Sequence, residues 1–97
     1  MSGIRTEIRA FRRRKGEELA WARQTAALFL AAGIDLAEAL AAPAVERSRL
    51  RIRLERMIER ERLRGMRRHW SYDLNRHISL KQALDRLRRL DECPDPS

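Results

Sequence analysis

The chain of 97 residues has one cysteine, three prolines, four glycines, five aromatic residues and only two lysines, Lys15 and Lys81. Each scarcity narrows what it is able to be. A lone Cys93 permits no intramolecular disulfide, which fits a reducing compartment. The longest apolar run, residues 26–34, is far too short to span a bilayer. The N-terminus alternates charges with single apolar residues, unlike a secretory signal. These features together predict a cytoplasmic protein. There is no glycine-rich phosphate loop, no paired carboxylate in an apolar setting and no nucleophile beside an obvious base. No catalytic residue is expected, and no enzyme. His69 and His77 are eight apart with no cysteine or carboxylate spacing typical of zinc, so neither a metal site nor a cofactor is expected.

What the sequence does have is arginine. Charged residues make up 37% of it and the formal net charge is +8. Arginine's planar fork suits phosphate and carboxylate partners, so the excess bears on partners rather than on fold. The length fits one helical domain over residues 1–92. A tail at 93–97, carrying Pro94 and Pro96, is expected to be disordered.

Residues 2–32 carry Ile4, Ile8, Phe11, Leu19, Ala22, Ala26, Phe29 and Leu30 at helical spacing, a stripe about 45 Å long. Gly33 reads as the C-terminal cap of that helix. Asp35 with Glu38 forms a capping box, and Ile34 supplies a hydrophobic staple for a short helix at 36–42. Pro43 suits the start of the next helix, which is expected to run to residue 77. Ile78-Ser79-Leu80-Lys81-Gln82 repeats the capping pattern and predicts a last helix at 80–92. The fold expected is all-α: a small bundle of two long antiparallel helices, 2–32 and 44–77, with a corner helix at 36–42 and a C-terminal helix at 80–92.

The segment 45–74 reads as the central strut. Placed at about 100° per residue, Leu50, Leu54, Met57 and Ile58 share one side. Val45, Ile52, Leu63, Met66, Trp70 and Leu74 share nearly the opposite side. Between them runs a ladder of Arg49, Arg53, Arg56, Arg60, Arg64 and Arg67. On the strut's flank, Arg51 and Arg62 are expected to be neutralised by Glu55 and Glu59, whereas the ladder has only Glu46 near one end and Glu61 to one side. Trp70 is expected in the core. The first expectation is a non-enzymatic protein whose arginine ladder contacts the phosphates of DNA or RNA; an acidic partner protein satisfies the same geometry, and a homodimer fits. The alternative is an adaptor or assembly factor docking through Leu50, Leu54, Met57 and Ile58. A third reading lays the first helix on a membrane surface through Ile4, Ile8 and Phe11. The corner at residues 35–40, joined to the longer helix after it, resembles a helix-turn-helix.

Overall fold

The computed structural model describes residues 2–92 and contains four helices: α1 (Ser2–Ala32), α2 (Leu36–Ala41), α3 (Ala44–Met66) and α4 (Leu74–Glu92). Among the described residues there is no strand, and the helices form the small bundle that the periodicity predicts. The expected tail at 93–97 lies outside the described residues.

The corner between α1 and α3 forms as its residues dictate. Gly33 takes φ 67° and its N–H donates to the Phe29 carbonyl at 2.8 Å. A side chain at that left-handed position would be strained, so glycine ends the helix cheaply. Asp35 then caps α2, its side chain accepting from the Glu38 N–H at 3.2 Å. Ile34 and Leu36, on either side of that cap, are buried.

The C-terminal half departs from expectation. α3 stops at Met66 rather than running to residue 77. Arg68 turns left-handed at φ 51°, its N–H donating to the Gly65 carbonyl at 3.2 Å while the His69 N–H reaches the Arg64 carbonyl at 2.9 Å. This bond pair is the Schellman stop normally built on glycine. With arginine in the left-handed place, spacing alone gives no sign of it. Gly65 has another role one turn earlier: a Cβ there would lie 3.1 Å from the Tyr72 ring, so its bare backbone lets the returning chain lie close.

α4 accordingly begins at Leu74, six residues before the expected start. Asp73 is its cap, with Oδ1 accepting from the Asn75 N–H at 2.9 Å and the Arg76 N–H at 3.3 Å. Ser79, read from the sequence as a cap, is buried mid-helix and its Oγ donates to the Asn75 carbonyl at 2.8 Å. That bond to the preceding turn satisfies the hydroxyl inside a helix.

The early start makes α4, not the 45–74 segment, the central element. α4 packs closely on both α1 and α3, whereas those two long helices make no comparably close backbone approach to each other. Leu80, Ala83, Leu84 and Leu87 of α4 meet Leu28 of α1, Ile34 and Leu36 of the corner, and Leu54 of α3. Polar links fasten the rim. Arg86 of α4 stacks over Trp21 at 4.8 Å from the ring centre, and its Nε donates to Gln24 Oε1 at 2.6 Å. Asp91 accepts from Arg51 at 2.7 Å and from Arg47 at 3.3 Å, joining the end of α4 to the start of α3.

Two faces exchange their expected places. On α3, Leu54 is fully buried, and Leu50, Met57 and Ile58 pack against the core. The surface that the sequence offers to a partner thus packs on the chain's own core, Leu54 fully and the other three in part. Val45, Ile52 and Met66, on the other side, are exposed. On α1, only the side carrying Trp21 and Leu28 joins the core, and Ile4, Ile8, Phe11, Leu19, Ala22, Ala26, Phe29 and Leu30 all face outward.

Candidate functional site

The arginines of α3 divide by what α4 brings near them. On one flank the carboxylates of α3 and α4 take up the guanidinium groups. Arg51 binds Asp91 rather than the expected Glu55, which instead binds Arg88 of α4 at 3.3 Å. Arg62 meets Glu59 at 2.6 Å, as its spacing predicts. This hydrogen bond holds the Glu59 carboxyl below its ordinary range.

The ladder is different. Arg49, Arg53, Arg56 and Arg60 are all exposed, and among the described residues none of them makes an ion pair or side-chain hydrogen bond. They rise about 16 Å along the helix at 1.5 Å per residue, and neighbours three or four apart share a face. Arg67 is also exposed and unpaired, but it sits at the helix's C-terminal capping position. Arg64 leaves the set: it is half-buried and its Nη1 donates to Glu61 Oε1 at 2.8 Å.

Glu61 is a residue whose role the sequence conceals. It is 1% exposed. Oε1 accepts from Arg64 and also from Arg76 of α4, the latter at 2.7 Å, while Oε2 accepts from the Asp73 N–H at 3.4 Å. Burial alone would push this carboxyl up; hydrogen bonds from Arg76, the Asp73 N–H and Arg64 overcome it and hold the group below its ordinary 4.5. The carboxylate therefore ties the end of α3 to the start of α4 and fixes where the arginine row stops. Glu61→Gln lowers stability by about 2–3 kcal/mol at neutral pH, because charge-assisted bonds are lost at a buried site. A group with a depressed folded pKa stabilises above its unfolded value and loses that contribution as pH falls through the folded one. The gap between wild type and variant in thermal melts therefore closes as pH drops below 4.5.

Where the row ends, the turn after α3 makes a hollow of about 390 Å³ lined by Arg60, Leu63, Arg64, Arg67, His69 and Ser71. The Ser71 N–H donates to His69 Nδ1 at 3.2 Å, and Ser71 Oγ lies 2.6 Å from the same nitrogen. Trp70, expected in the core, is 90% exposed and stacks on the His69 ring at 5.6 Å between centres. Two things explain the difference: α3 ends before Trp70, and the side it would have continued, with Met66 and Leu74, is itself exposed. The signal that could have found it is the polar run around it, which gives an indole no core to enter.

A larger groove of about 540 Å³ between α3 and α4 is lined by Glu55, Ile58, Lys81, Gln82, Leu84, Asp85 and Arg88. Its two acids balance its two bases, so it offers an anion no net attraction. Among the described residues no cluster of three or more His, Cys, Asp or Glu side chains is placed to hold a metal ion. No helix among them is long and apolar enough to cross a membrane. Comparison with family models, curated proteins and solved structures gives no match for this chain.

Proposed function

We propose that this chain is a small, non-enzymatic, cytoplasmic protein that binds nucleic acid mainly through backbone phosphates, using Arg49, Arg53, Arg56, Arg60 and Arg67, with Arg64 beside them. The observation that carries the reading is selective pairing. The arginines on the flank of α3 that meets α4 are paired with the chain's own carboxylates, while Arg49, Arg53, Arg56 and Arg60 are left solvated and without partners among the described residues. A row of fixed cations of this kind follows a polyanion without reading its sequence, since phosphate contacts set register and orientation while base edges carry specificity.

The exposed Trp70 supports a second contact in the same ligand. An indole held against His69 beside the basic hollow offers an unpaired base a stacking surface, and such stacking tolerates any base. Docking of a partner through Leu50, Leu54, Met57 and Ile58 draws less support, because Leu54 is fully buried and the other three are partly buried against the core.

The test is fluorescence anisotropy with a labelled duplex and a labelled single strand at low salt, with polyglutamate as competitor. Both oligonucleotides are expected to bind, and polyglutamate to displace them poorly at matched charge. Binding of polyglutamate alone would instead assign the arginine row to an acidic protein.

A further inference from the structure

We infer that α1 is a self-association surface that takes the α1 of a second copy in antiparallel orientation. α1 extends beyond the bundle: residues 3–20 are exposed apart from a half-buried Ala10. Its apolar stripe is uncovered from end to end, with Ile4 61%, Phe11 61% and Phe29 59% exposed. The stripe lies on the side of the helix away from Trp21 and Leu28, which the core holds. An apolar surface of this length, broken only at Lys15, is uncommon on a monomer that stays alone in water.

Charge and shape both select the occupant. Lys15 is the single charged residue in the middle of the stripe, and Glu18 borders it one turn later; the two are 4.0 Å apart and exposed. In a parallel pair Lys15 would face its own copy, and like charges at the seam repel. In an antiparallel pair, Lys15 opposite Glu18 of the second copy gives two symmetric ion pairs. The same register sets Phe11 opposite Ala22 of the second copy, and Ile4 opposite Phe29. Ala22 is small, and there the surface has a hollow of about 450 Å³ lined by Trp21, Ala22, Thr25, Ala26, Phe29 and Asp35. Each Phe11 thus enters the other copy's hollow, an isologous contact closed by a two-fold axis.

The antiparallel order also keeps the two basic bundles at opposite ends of the helix pair. A lipid surface fits less well. Glu7 and Glu18 line one border of the stripe, where an anionic headgroup would repel them, although the rest of the polar face, with Arg5, Arg9, Arg12, Arg13, Arg14 and Arg23 against Glu17, is basic.

Sedimentation equilibrium on the full chain at micromolar concentration tests the inference. The expected mass is twice 11.4 kDa. Phe11→Asp gives a monomer with unchanged helical circular dichroism, since the ring is outside the core. Lys15→Glu and Glu18→Lys each weaken the dimer about tenfold, and the two together restore it. On a Cys93→Ser background, a mixture of Ile4→Cys and Phe29→Cys chains forms mixed disulfides on oxidation. Ile4→Cys alone does not, because the two copies of that residue lie roughly 38 Å apart. A monomer at every concentration overturns the inference, whether or not it pellets with anionic vesicles. So does disulfide formation by Ile4→Cys alone, the mark of a parallel pair.

Discussion

Leu54→Ala lowers the unfolding free energy by about 3 kcal/mol and the melting temperature by roughly 15 °C. Leu54 has no exposed surface and sits where α3 meets the leucines of α4, in the cluster that joins all four helices. Truncating it removes the transfer free energy of the lost methyl groups and leaves a cavity, because helices clamped on several sides relax only in part. Small domains have a total stability of only about 5–15 kcal/mol, so this one change removes a large fraction. The matching control is Ile52→Ala, on the opposite side of α3, where the side chain is 50% exposed. That change stays within about 0.5 kcal/mol. Urea titrations of the two variants decide which face of α3 is core. Were Leu54 a docking residue on an open surface, the two costs would be alike and small.

Replacing Arg53, Arg56 and Arg60 together with glutamine has the second large effect. Each arginine that neutralises a phosphate on binding releases counterions, and the slope of log affinity against log salt changes by about 0.9 per contact on duplex DNA. Three contacts therefore flatten the slope by about 2.7 and weaken binding most at low salt. Stability should hardly change, since all three side chains are exposed and have no partner among the described residues. A melting curve beside the binding curve separates loss of contact from loss of fold. The same substitutions at Arg47, Arg51 and Arg88, which are already paired with Asp91 and Glu55, affect stability more than binding.

The contrast between those two sets shows what the amino-acid order makes legible. Gly33, Asp35 and Glu38 announce the corner because capping is local chemistry, settled within a turn of each residue. The stop of α3 is hidden because Arg68 occupies a position that glycine normally marks. The start of α4 is misplaced because two candidates, Asp73 and Ser79, both have the chemistry of a cap, and Ser79 is drawn into the core instead.

Faces were harder to read than boundaries. α3 has apolar residues on two sides, and periodicity counts them without saying which side a neighbour will cover. That choice belongs to α4, whose Leu80, Leu84 and Leu87 settle on Leu54. The same limit applies to α1, where the most regular stripe is not the buried one. Among the arginines, the ladder's spacing was legible. Which of its members stay unpaired depends on where carboxylates settle in the fold, such as Asp91 turning to Arg51 and Glu61 to both Arg64 and Arg76.

Whether the unpaired arginine row makes a set of phosphate contacts is decided by the salt dependence of duplex binding by the wild-type protein. Log affinity is expected to fall in a straight line against log salt with a slope of about −4, one increment for each of the four or five free arginines. Binding that is absent at low salt, or that does not change with salt, would contradict it.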